Sequence, residues 1–100
     1  MPYEITTKIA GIFKYPEAKE PMKEMRNSLV FEREPSNPYD ANAIALYITS
    51  FTRTNGGNEE KLIRQKCGYI PKEHAAQLRD RKIVAVRRGV AFDQIIVTVE

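Results

Sequence analysis

Residues 43–49, AIALYIT, set Ile44, Leu46 and Ile48 on one side of an extended chain and Ala43, Ala45 and Tyr47 on the other, the period of two that marks a strand. Asn-Gly-Gly-Asn follows at 55–58. Such residues tolerate positive φ, as a hairpin loop requires, so a second strand is expected beyond it. KLIRQKCGYI at 61–70 supplies that strand. A long hairpin in the middle of the chain commits the fold to antiparallel β-structure.

The remaining segments fit that frame. ITTKIAGIF at 5–13 aligns Ile5, Thr7, Ile9, Gly11 and Phe13 on one side of a strand, with the glycine marking a bulge or a close backbone contact. SLVFERE at 28–34, KIVAVRR at 82–88 and DQIIVTV at 93–99 read as three more strands, the last two joined by GVAF. Ala18, Met22 and Met25 recur at helical spacing and predict a short helix over 17–26. Pro71 suits the first turn of a second helix, PKEHAAQLRD, with Ala75, Ala76 and Leu78 as its apolar stripe. The expected fold class is mainly β: a small six-stranded antiparallel barrel or rolled sheet with one or two short helices, because closure protects the strand edges.

A chain of 100 residues is one domain, 1–100, able to bury roughly 65% of its unfolded surface. No apolar run is long enough to span a bilayer or serve as a secretory signal, so a cytoplasmic protein is expected, with no membrane partner. Cys67, the only cysteine, reads as core filler. The one histidine, His74, has no obvious catalytic partner, and one Cys with one His make no zinc site. TNGGNEEK has glycines without the phosphate-loop pattern. Neither enzyme activity nor a cofactor or metal is expected. The net charge of +3 is unevenly spread: residues 1–60 carry −2 and residues 61–100 carry +5. A basic half attracts phosphates through counterion release.

Two segments carry more specific information, REPSNPYDANAIAL at 33–46 and CGYIPKEHAAQLRD at 67–80. In this order, with a strand between them and Gly11 on the first strand, they resemble the HIRAN domain from about Lys8 to Asp80 and more loosely to the C-terminus. The resemblance implies an OB-like barrel of six strands with accessory helices, standing alone rather than fused to an ATPase or nuclease. It also implies a binding module for single-stranded DNA that grips the 3′-hydroxyl end without catalysis, with a role in DNA repair.

Carried over by position, Asp40 would accept a hydrogen bond from the terminal hydroxyl, Tyr39 would stack on the last base, and Asn37 would bond the sugar-phosphate. Lys72 would meet a phosphate, Tyr69 matches an aromatic or histidine, and Phe92 matches an apolar residue against the DNA end. The first strand departs from the family. Thr7 and Lys8 stand where a DNA-binding member has an Arg-aromatic pair, so Lys8 can still meet a phosphate, but the second stacking face is absent unless Phe13 or Tyr15 replaces it.

Two readings stay open for the 34–46 stretch. Its prolines, asparagines and aspartate can build a rigid turn through side-chain-to-backbone bonds, or Asn37, Tyr39 and Asp40 can face a ligand. An alternative function is a protein-interaction domain that docks a separately encoded helicase or nuclease. Arg79, Arg81, Arg87 and Arg88 are candidates for backbone contacts only if they share a face with the pocket.

Overall fold

A computed structural model describes residues 1–57 and 59–100. Six strands run in the order β1 (Tyr3–Lys8), β2 (Leu29–Arg33), β3 (Ile44–Thr54), β4 (Glu59–Tyr69), β5 (Ile83–Arg88) and β6 (Gln94–Val99). Helix α1 (Lys19–Lys23) follows two 3-10 turns, Ile12–Lys14 and Pro16–Ala18, and α2 (Lys72–Gln77) follows β4. No helix among the described residues is long and apolar enough to cross a membrane.

The strands form two antiparallel sheets, ordered β1-β6-β5 and β2-β3-β4. Alternation places Ile44, Leu46 and Ile48 of β3 and Ile95, Val97 and Val99 of β6 at full burial in one core, joined by Met22 and Leu78. Each such side chain contributes about 2 kcal/mol by leaving water.

The expected strand content is present, but a closed barrel is not found among the described residues. The sheets meet at one bridge, where Ala10 and Tyr69 exchange N–H···O bonds of 2.8 and 2.9 Å. The other two edges, β2 and β5, share no ladder. Arg33 Nη2, at the end of β2, donates to the carbonyls of Leu78 (3.1 Å) and Arg81 (2.7 Å), so a side chain ties β2 to the segment that leads into β5.

Three expectations are corrected. The first strand stops at Lys8 instead of running to Phe13. Gly11 adopts φ 74°, which turns the chain into the 3-10 segment and leaves Phe13 95% exposed instead of on the core side.

The helix expected over 17–26 shrinks to five residues, with Met25 exposed. Its C-terminal carbonyls have another donor: Arg88 reaches Met22 O at 2.7 Å and Glu24 O, at the C-cap, at 3.4 Å, and it also holds Asn27 O of the following loop at 3.3 Å. A guanidinium that satisfies these acceptors removes the need for a further helical turn.

In α2, Pro71 is the N-cap rather than the first helical residue, its carbonyl accepting from His74 and Ala75. Leu78 N donates to both His74 O and Ala75 O, a tightening that ends the helix early and leaves Ala76 exposed while Ala75 and Leu78 are buried.

The central hairpin forms as its sequence requires, with Gly56 and Gly57 at φ 71° and 90°. The expected contribution of Asn58 lies outside the described residues. A bulge interrupts the ladder: Leu46 faces Gly68 while Tyr47 faces Lys66, so Cys67 is the extra residue. Its thiol turns inward and donates to Leu46 O at 3.4 Å, and burial pushes its pKa up to about 11. The core-filler reading of Cys67 fits this environment.

Candidate nucleic-acid interface

The bulge at Cys67 sets the chemistry of the site. In a regular strand Lys66 and Tyr69 would point to opposite faces, because their separation is odd. The extra residue brings both to the outer face of the β2-β3-β4 sheet, where Lys66 Nζ donates to Tyr69 Oη at 3.0 Å. Glu34, just beyond β2, completes the cluster: it accepts from Lys66 at 2.8 Å and from the Tyr69 hydroxyl at 2.9 Å.

These groups lie across β3 from one another, a gap of about 10 Å between alternate strands. Long side chains close it over Ala43 and Ala45, which are buried beneath them. A larger residue at either alanine would stand in the way.

Partial burial penalises the Glu34 carboxylate, but hydrogen bonds from Lys66, Asn37 and Tyr69 outweigh that cost and hold its pKa below the ordinary 4.5. Burial likewise opposes the Lys66 charge, and bonds to Glu34 and Tyr69 override it and raise the pKa. For Tyr69, the bond from Lys66 favours the phenolate, yet burial and the bond to Glu34 win and raise its pKa. The cluster therefore stays a carboxylate, an ammonium and a neutral phenol. A lowered carboxylate pKa stabilises the fold above the unfolded-state value and is lost as pH falls through the folded value. Thermal melts between about pH 6 and about pH 3 should show Glu34→Gln losing stability relative to the parent at the upper end, with the difference closing at the lower end.

Glu34 also anchors the loop that follows it. Asn37 Nδ2 donates to Glu34 Oε1 at 3.0 Å, and Asn37 Oδ1 accepts from the amides of Tyr39 (2.8 Å) and Asp40 (3.1 Å). Asp40 Oδ1 accepts from Asn42 N at 2.9 Å. Pro35 and Pro38 limit the loop's freedom further. The turn-building reading therefore describes Asn37 in full, since its amide is spent inside the loop. For Asp40 one oxygen closes the turn, and the other accepts from no protein group among the described residues. Tyr39 is held by its backbone alone, and its side chain is 94% exposed.

A groove of about 630 Å³ opens beside this loop. Asn37, Tyr39 and Asp40 form one wall, and Tyr69 and Lys72 stand across it. Lys14 and Tyr15, delivered by the Gly11 turn and the Ala10 bridge, line it as well. Three tyrosines, two lysines and one half-free carboxylate thus meet in one concavity, a surface suited to flat rings and phosphates beside a single hydrogen-bond donor. Lys66 adds no free charge there, because Glu34 neutralises it.

Of the seven sequence candidates, Asn37, Tyr39, Asp40, Tyr69 and Lys72 come together, while Lys8 and Phe92 do not line the groove. Lys8 pairs with Gln94 at the end of β1, and Phe92 lies in the adjacent loop with its carbonyl accepting from Arg88. Tyr15, not Phe13, supplies the further aromatic face. Sequence reasoning missed Lys14, Glu34 and Lys66. Gly11 was the visible signal for Lys14; nothing local announces the bulge that recruits Lys66.

None of the four C-terminal arginines lines the groove. Arg87 pairs with Glu4 at 2.8 Å, Arg88 is spent on carbonyls, Arg79 lies beside Asp80 at 3.5 Å, and Arg81 sits over the Tyr3 ring. The basic half is dispersed rather than gathered at the site.

No curated protein and no solved structure matches this chain. A family model does, that of the HIRAN domain, over residues 3–94. HIRAN domains are in general nucleic-acid-binding modules, and the loop and helix start that build the groove both fall within the matched span. With nearly its whole length matched, this chain belongs to the HIRAN-domain family.

Proposed function

We propose that the groove binds the end of single-stranded DNA at a free 3′-hydroxyl, as a recognition step without catalysis. The observation that carries this reading is Asp40. Its second oxygen is left open in a groove that also holds Lys14 and Lys72 and the ring of Tyr39. A carboxylate accepts from a terminal hydroxyl and repels a terminal phosphate, while the lysines take internal phosphates and the tyrosine accepts any base. Lys14 and Tyr15 bring a cation and a ring into the groove, where the first strand, with Thr7 and Lys8, offers no ring and leaves its lysine outside. The Ala10–Tyr69 bridge supports an OB-like roll as the scaffold, because it brings the first-strand segment to the rim of the other sheet.

Fluorescent ten-mers that differ only in a 3′-hydroxyl or 3′-phosphate test the reading at low and near-physiological salt. The parent should prefer the hydroxyl end by about tenfold, and Asp40→Asn should abolish most of that preference. Equal binding to both ends, erased by salt, would mean that only net positive charge is sensed.

A further inference from the structure

The β3-β4 hairpin extends well beyond the sheet that supports it. β2 pairs with β3 only from Ile44 to Ile48, whereas β4 pairs with β3 back to Glu59. The outer edge of β4 over 59–66 faces no other strand among the described residues. Exposed edges are usually blunted by proline, short length, a bulge or charged side chains, lysine above all. This one has no proline and its bulge lies beyond it at Cys67, so its protection rests on the charges of Glu59, Glu60, Lys61, Arg64 and Lys66, which become attractions wherever a partner strand is opposite in sign. Leu62 and Ile63 stand exposed at its middle, and Phe51, opposite Leu62, is 71% exposed.

On the face of Leu62 the charges run from acidic to basic, Glu60 before it and Arg64 and Lys66 after it, while Glu59 and Lys61 alternate onto the other face. Such a strand is complementary to its own antiparallel copy. A two-fold axis through an antiparallel strand pair must pass beside one residue, so the possible registers are few. Centring on Lys61 sets two lysines against each other. Centring on Leu62 places Glu60 opposite Arg64 of the second copy twice and Leu62 opposite itself, on the face that also carries Phe51. The intrachain partners of these charges compete weakly: Glu60 lies 3.5 Å from Arg53 and Arg64 lies 3.3 Å from Glu32, all about half exposed.

We propose that this edge is a homodimer interface, in which β4 pairs with β4 of a second copy about a two-fold axis at Leu62 and joins two three-stranded sheets into one of six. The occupant is a second copy rather than an unrelated strand because opposite charge and matching apolar residues recur under the two-fold. An interface of one strand edge falls below the area of a permanent dimer, so the association is concentration-dependent. It is independent of the groove and of what the groove binds.

Sedimentation velocity from about 5 to about 500 μM tests the proposal, since weak interfaces populate in that range. The parent should shift from monomer to dimer. Glu60→Lys and Arg64→Glu, each at an exposed position, should each stay monomeric, because like charges then face one another. An equimolar mixture of the two should recover the dimer, as both cross-strand pairs become opposite in sign again. A parent that stays monomeric throughout overturns the proposal, as does a single variant that still dimerises or a mixture of folded variants that fails to associate. Binding of the same DNA ten-mers by either monomeric variant keeps this outcome separate from the groove.

Discussion

Replacing Gly68 with alanine should destabilise the protein by about 3 kcal/mol, the upper range for forcing atoms into a packed site. The β-carbon would arrive 2.5 Å from the carbonyl oxygen of Ala10 and against the Ile9 side chain. Neither can withdraw easily. Ala10 is fixed by its paired bonds to Tyr69, and Ile9 is buried in the core. Gly68 also holds φ 151°, a backbone state that residues with a β-carbon rarely adopt. Relief requires opening the bridge, the backbone contact between the two sheets. Urea unfolding should show the loss as a lower midpoint. Gly11→Ala is the contrast, because nothing lies within 4 Å of the added atom and only the strain of φ 74° remains, about 1 kcal/mol. Equal midpoints for the two variants would mean that the close approach at Gly68 carries no energetic weight.

The second large effect concerns binding. Tyr39→Ala should weaken single-stranded DNA binding by about 1 to 3 kcal/mol, the value of one base-stacking platform, or about fivefold to 150-fold in affinity. Because the Tyr39 side chain is 94% exposed and touches the fold only through its backbone, the melting temperature should not move. Tyr15→Ala should weaken binding in the same direction, whereas Phe13→Ala, equally close in sequence but outside the groove, should leave it unchanged. Fluorescence anisotropy on one ten-mer at fixed salt measures all three. If Phe13→Ala cost as much as Tyr39→Ala, the strand would follow another path across the surface.

Much of this was legible from residues 33–46 and 67–80. Turn chemistry is local: Asn37 and Asp40 bond to amides two or three residues on, so their spacing alone predicts the loop. Strand alternation is equally local, and the buried faces of β3 and β6 follow it. The failures share one origin. Phe13 was placed by extending a regular strand through Gly11, whereas Lys8 and Phe92 were carried over by position from the family resemblance. Each assignment depends on where the chain turns in three dimensions. The helix over 17–26 failed for a similar reason, since Arg88, more than 60 residues away, takes the carbonyls of Met22 and Glu24 that another helical turn would have used.

The strands, the central hairpin, the rigid 34–42 loop and membership of a nucleic-acid-binding family are all written in local residue order, because alternation, turn residues and motif order act over a few neighbouring positions. Which side chains meet depends on the packed fold. The bulge at Cys67 puts Lys66 and Tyr69 on one face, and the small residues Ala43 and Ala45 let Glu34 reach them across β3. The Ala10 bridge carries Lys14 and Tyr15 to the groove while leaving Lys8 behind. Those contacts join residues 32 to 59 positions apart, and their geometry is set by packing and hydrogen bonding between strands rather than by any local preference of the chain.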